Sequence, residues 1–168
     1  MDNTFFNRIK DVFFQSRNRK NERHQRVLPF GEYFNDRWEK AKYLGFGKNS
    51  SVYDSVVVIG KVYVGCNTWI GPNVILDGSG GITIGANCSI SGGVQIYSHD
   101  SVDWAISGGK EGYQYEKTKI GDNCYIGPNV IISKGVVIGD RCIVGANSFV
   151  NCDVPDDSKV YGNPARLV

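Results

Sequence analysis

The sequence has no long hydrophobic run. Its longest aliphatic stretch, Val56-Val57-Val58-Ile59, is far short of the roughly 18 residues that a membrane span requires. Histidine is almost absent, with only His24 and His99. The 5 cysteines are odd in number and show no CxxC spacing, which argues against a disulfide framework and a structural zinc site. Proline is scarce, at 5 of 168 residues, and there is no Gly-X-Y run, so the chain is neither collagen-like nor a low-complexity linker. An excess of one charge is lacking too. The balance of 19 Lys+Arg against 17 Asp+Glu leaves +2, and no nucleic-acid partner is expected from it. The opening residues carry Asp2 and Asp11 without a small-residue cleavage site, so the expected location is cytoplasmic.

What is abundant is glycine, at 21 of 168 residues against a usual level of roughly 7%. With hydrophobic residues at 41% the chain can build a core, and its backbone must need many tight corners. Charge is unevenly spread. Residues 1–50 hold 11 Lys/Arg and 6 Asp/Glu, whereas residues 51–168 hold 8 and 11. In the first segment Phe5, Phe6, Ile9, Val12 and Phe13 have helical spacing, followed by a basic stretch from Gln15 to Arg26. Pro29 and Gly31 break that pattern, and Tyr33 to Lys42 is expected to form a second short helix. The first expectation for this segment is a helical cap that packs its phenylalanines on the main domain. Contact with a membrane surface, or with an acidic partner, is the lesser alternative.

From about residue 52 the sequence repeats with period six. Aliphatic residues recur at Val52, Val58, Val64, Ile70 and Leu76, at Ile84, Ile90 and Ile96, and again from Ile120 through Val150. Glycine often follows directly, as at Gly65, Gly85, Gly121 and Gly139. Asparagine is frequent at the third position after the aliphatic residue, and a small or β-branched residue, such as Thr68, Cys88, Cys124 or Cys142, at the fourth. This period fits a short flat strand followed by a corner. The aliphatic residue fills a narrow interior, and Asn or Gly accepts the positive φ that a tight corner demands. Stacked coils then pair each backbone group with the coil above and below. The expected architecture is an all-β solenoid, in which the three column cysteines serve as packing elements.

The [Ile/Val]-Gly-x-x-[small]-x pattern over about residues 52–168 resembles the hexapeptide-repeat acyltransferases. That resemblance implies a left-handed parallel β-helix, so the expected organisation is an N-terminal helical and basic segment (1–50) and a left-handed β-helix acetyltransferase domain (51–168) with one long loop excursion at about 98–118. It also implies acetyl-CoA as co-substrate, a homotrimer with grooves between subunits, and no metal.

The breaks in the repeat mark where chemistry is expected. Leu76 to Ile84 is eight residues, so Asp77-Gly78-Ser79-Gly80-Gly81 forms a two-residue bulge. Ile96 to Ile120 spans 24 residues, and the pattern vanishes within them. His99 lies where a strand gives way to this loop, next to Asp100, a carboxylate suited to orienting an imidazole. The Ser-His-Asp run resembles the catalytic histidine segment of the sugar O-acetyltransferase branch, which makes His99 the expected general base. Trp104, Tyr113 and Tyr115 in the loop are candidates to stack on a sugar ring. Tyr161-Gly162-Asn163-Pro164-Ala165-Arg166 resembles the segment that closes the coenzyme A site, which places Pro164 there and gives Arg166 a phosphate to bind. By the same resemblance Gly127 and Ala146 line the pantetheine arm with backbone amides. Many maltose-type relatives have Trp-Ile-Gly and Pro-Gly where this chain has Tyr125-Ile126-Gly127 and Lys134-Gly135.

The expected function is acetyl transfer from acetyl-CoA to a hydroxyl of a sugar or surface-polysaccharide precursor, directly within a ternary complex. The alternatives are N-acetylation of a nucleotide-linked amino sugar and, in another class, a non-catalytic assembly or binding solenoid.

Overall fold

The computed structural model describes residues 3–168. The chain divides into two compact units, the second running Arg37–Val168. In the first unit, helix α1 (Asn3–His24) runs unbroken through the basic stretch, and a 3₁₀ turn follows at Phe30–Tyr33. Helix α2 (Arg37–Tyr43) opens the second unit, so the helix expected over Tyr33 to Lys42 begins four residues later. Ala41 and Phe46 are buried in the solenoid core, and Lys40 Nζ donates to the carbonyls of Tyr53, Asp54 and Val56. Residues 37–50 thus close the first coil, and the compact division falls after Asp36.

The rest is a left-handed parallel β-helix of about 6 turns. The first face stacks Ser51–Val52, Trp69–Ile70, Ser89–Ile90, Tyr125–Ile126, Ile143–Val144 and Lys159–Gly162, all parallel. An antiparallel return, Ala165–Leu167, ends it. The second face carries Leu76, Ile96, Ile132 and Val150 in register, and the third Ile84, Ile120 and Ile138, with Val154 bridged beyond. Nearly every residue of the aliphatic column is buried, many of them completely, while Val58 at the edge is only half-buried.

The corners follow the repeat. Asn67, Asn73, Asn87, Asn123, Asn129 and Asn147 all have φ between 54° and 59°. Arg141 and Asp157 take the same conformation in the same column. After the third face, a carboxylate from the following coil accepts the amide proton of each corner: Ala86 donates to Asp122, Asp122 to Asp140, and Asp140 to Asp156. The small-residue column does more than pack. Thr68 Oγ1 donates to the Gly85 carbonyl, and the Cys88, Cys124 and Cys142 thiols to those of Gly121, Gly139 and Pro155. Each donor satisfies a carbonyl that the narrow corner hides from water.

Candidate active site

The irregularities of the helix gather at one corner, between the second and third faces. On the coil of strand Ile75–Ile84 the chain bulges by two residues, since Gly60 pairs Gly78 and Val62 pairs Ile82. Asp77 follows Leu76 directly, at the mouth of this bulge. Asp77 is buried, and its Oδ1 accepts bonds from Ser79 Oγ at 2.6 Å and Ser79 N at 3.1 Å. One coil on, Tyr97 stacks in register with Asp77. The fully buried Ser98 fastens the two coils together, its Oγ donating to the Asp77 carbonyl at 2.6 Å and accepting from Gly80 N at 2.8 Å.

This placement delivers His99 to the buried carboxylate. His99 Nδ1 lies 2.9 Å from Asp77 Oδ2, with the imidazole 27% exposed and the aspartate 7%. The pair is at ion-pair distance, although Nδ1 makes no well-aligned hydrogen bond. The carboxylate has one oxygen held by Ser79 and the other turned to Nδ1. The nitrogen left for chemistry is Nε2.

The sequence assigned the orienting role to Asp100, and the structure corrects this. Asp100 Oδ1 accepts from Val102 N at 3.1 Å and Oδ2 lies 3.6 Å from Lys134 Nζ. Asp100 therefore shapes the start of the loop and does not orient the imidazole. Adjacent residues on a strand point to opposite sides, so the carboxylate next to His99 in sequence is not next to it in space. The sequence reading places Asp77 only within the bulge and does not pair it with the histidine.

The loop returns on itself. His99–Asp100 pairs antiparallel with Gln114–Tyr115, and a short helix α3 (Val102–Ile106) lies between. Tyr115 stacks near the His99 ring at 5.9 Å and 23°, Tyr113 lies 6.3 Å away, and Trp104 meets Tyr113 edge-on at 5.8 Å. Tyr113 and Tyr115 thus flank His99 and Trp104 packs on Tyr113, all three remaining exposed. Lys134, from the next coil, pairs with both Glu116 and Asp100, which clamps the two ends of the loop. Glu116 foremost, with Asp100 behind it, holds the Lys134 ammonium above its ordinary 10.5. An open cleft of about 400 Å³ lies here, bounded by Tyr97, His99, Asp100, Val102, Lys134 and Phe149.

The four expected coenzyme residues sit elsewhere on the chain. Gly127 and Ala146 stack at the corner between the first and second faces, so close that a Cβ on Gly127 would lie 2.7 Å from Ala146 N. The Gly127 amide donates to the Val144 carbonyl at 2.8 Å. Ala146 is exposed beside it, and Pro164 and Arg166 are exposed in the C-terminal return, with Arg166 Nη1 on the Ala165 carbonyl at 2.8 Å. Within one chain this set and His99 occupy different corners. Among the described residues, no cluster of three or more His, Cys, Asp or Glu could hold a metal, and no helix is long and apolar enough to cross a membrane.

Comparison with known proteins agrees with the repeat and the fold. Residues 117–152 match the family described as bacterial transferase hexapeptide (six repeats), and residues 61–98 match the hexapeptide repeat of succinyl-transferase. Protein CapG of Staphylococcus aureus is 41% identical over 91 residues, 52% of this chain and 51% of CapG. Probable serine acetyltransferase 1 of Oryza sativa subsp. japonica is 40% identical over 99 residues, 59% of this chain and 31% of that protein. The chain thus spans about half of the first relative and under a third of the second. The solved structure of a maltose O-acetyltransferase from Clostridium difficile 630 superposes with a TM-score of 0.70 at 29% identity, covering 96% of this chain and 83% of that one.

Proposed function

We propose that this chain is a hexapeptide-repeat acyltransferase that transfers an acetyl group from acetyl-CoA to a hydroxyl of a sugar or surface-polysaccharide precursor. The observation that carries this reading is the Asp77–His99 pair, with one ring nitrogen 2.9 Å from a buried carboxylate and the ring bordering an open cleft. His99 Nε2 takes the proton of the acceptor hydroxyl as its oxygen attacks the thioester carbonyl, and Asp77 stabilises the imidazolium that results. Collapse of the adduct expels the coenzyme thiolate, which recovers that proton from His99. No covalent enzyme intermediate is needed when both substrates are held together. Trp104, Tyr113 and Tyr115 present aromatic surface to the acceptor.

Since Arg166 and Ala146 lie on a different corner from His99, the reading also calls for a homotrimer in which one subunit supplies His99 and its neighbour the coenzyme-binding corner. Arg166 would meet the coenzyme phosphates there.

The test combines acetyl-CoA calorimetry with coenzyme-release kinetics over a panel of sugar hydroxyl and amino-sugar acceptors. Transfer should fall about 10²- to 10⁴-fold in His99→Ala and substantially in Asp77→Asn, with acetyl-CoA affinity preserved in both. Arg166→Ala should weaken acetyl-CoA binding instead. A well-folded protein that binds no acetyl-CoA would point to a non-catalytic solenoid, and activity confined to amine acceptors would reassign the reaction to N-acetylation.

A further inference from the structure

Helix α1 carries an ordered surface that the acetyl-transfer reading does not use. Projected at 3.6 residues per turn, Phe5, Phe6, Ile9, Val12 and Phe13 fall within an arc of about 120°. Phe13 turns inward onto Phe30 and Tyr33, with ring centroids 5.4 and 5.5 Å away. The others stay in solvent, with Phe5 67% and Phe6 55% exposed, joined by the exposed Phe30 and Phe34. Arg8, Ile9, Val12, Phe30 and Phe34 surround a groove of about 330 Å³ on this surface.

Charge is sorted around the same arc. Arg8 and Arg19 border it on one side and Lys10 and Arg17 on the other, while Asp11 and Glu22 project from the opposite side. Toward the C-terminal end the arc itself turns cationic. Ser16, Lys20 and Arg23 continue it, and with Arg19, His24 and Tyr33 they form a second hollow of about 180 Å³. An apolar groove therefore adjoins a cationic one along a single helical face, with the two acids of the helix on its opposite side. That pairing matches an interface where acyl chains lie beside anionic headgroups, whereas a second protein of neutral surface would leave the cations unmatched. The helix carries six Lys/Arg against two Asp/Glu, too charged to enter a bilayer core and suited to lying in its surface.

We propose that α1 and the Phe30–Phe34 turn form a docking surface for an anionic phospholipid membrane. Phe5, Phe6, Ile9 and Val12 enter the acyl boundary, and Arg19, Lys20 and Arg23 meet headgroup phosphates. The proposal stands on this unit alone and does not depend on the acetyl-transfer reading.

The test is co-sedimentation of the full chain with vesicles of phosphatidylcholine, with and without about one-third phosphatidylglycerol. Binding should be at least about tenfold tighter to the anionic vesicles, and about tenfold weaker at 0.5 M than at 0.1 M salt. Phe5→Ser/Phe6→Ser and Arg19→Glu/Lys20→Glu should each abolish it while leaving solution helicity unchanged. A Phe6→Trp variant reads insertion directly, by a blue shift of its emission on anionic vesicles alone. Equal binding to both vesicle types, no binding to either, or no blue shift would overturn the proposal. So would saturation of the cationic hollow by inorganic phosphate without vesicle binding, or a Phe5→Ser/Phe6→Ser variant that changes only the oligomeric state.

Discussion

Inside each coil corner a single side chain decides whether a buried carbonyl keeps a partner. Ser50, Thr68, Cys88, Cys124 and Cys142 all donate to the carbonyl one coil on, at distances from 2.8 to 3.1 Å. Thiols are the weaker donors, so the lower rungs depend on keeping a proton. Burial pushes the Cys142 thiol above its ordinary 9.0, and the hydrogen bond with Cys88, followed by burial, does the same for Cys124. Above pH 9 the unfolded chain releases the Cys142 proton while the folded chain retains it. The unfolded state then binds fewer protons, so stability is lost as pH rises. Urea unfolding should show wild type falling more steeply than Cys142→Ser between pH 8 and pH 10, by up to about 1.4 kcal/mol per pH unit for one thiol. Equal slopes would mean that the thiol proton contributes nothing.

At the scale of an element, the loop after Tyr97 is an excursion held at both ends. Glu116 N donates to the Ser98 carbonyl at 2.9 Å, and Lys134 pairs with Glu116 and Asp100 from the coil below. Exposed ion pairs add little to global stability, so Lys134→Ala should leave the melting temperature nearly unchanged. Its effect should appear locally, as several-fold faster hydrogen exchange across residues 101–117 and faster tryptic cleavage after Lys110 or Lys117. Unaltered exchange would show that the hairpin and the Ser98 bond suffice without the clamp. The regular coils were legible in the sequence because each column answers to one local demand: Ile or Val for the interior, Asn for a positive φ, Gly for close stacking. His99 and the loop were legible as interruptions of that pattern. Asp77 was not, because its partnership with His99 crosses from one coil to the next, and a period of six gives the columns but not which side chains meet where the columns fail.

For the whole molecule the question is where the solenoid begins. Composition draws a line at residue 50, yet the buried core starts at Ala41, includes Phe46, and is closed over the first coil by Lys40. Every residue of that core lies in Arg37–Val168. Two truncations separate the alternatives. A chain starting at Arg37 keeps the complete core and should melt within a few degrees of full length. A chain starting at Asn49 loses Ala41 and Phe46, uncovers Val52 and Ile70, and leaves the Tyr53, Asp54 and Val56 carbonyls without the Lys40 ammonium. Removing a buried aromatic costs about 3–5 kcal/mol, so this second chain should melt on the order of 10 °C lower, by calorimetry, and unfold first at its N-terminal coil, by hydrogen exchange. Equal melting of the two chains would make α2 an appendage and restore the boundary at residue 50. Because coils couple mainly to their nearest neighbours, even a frayed first coil should leave the Asp77–His99 pair in place. Both truncated chains should then retain the full-length protein's binding to acetyl-CoA, and neither, lacking α1, should sediment with anionic vesicles.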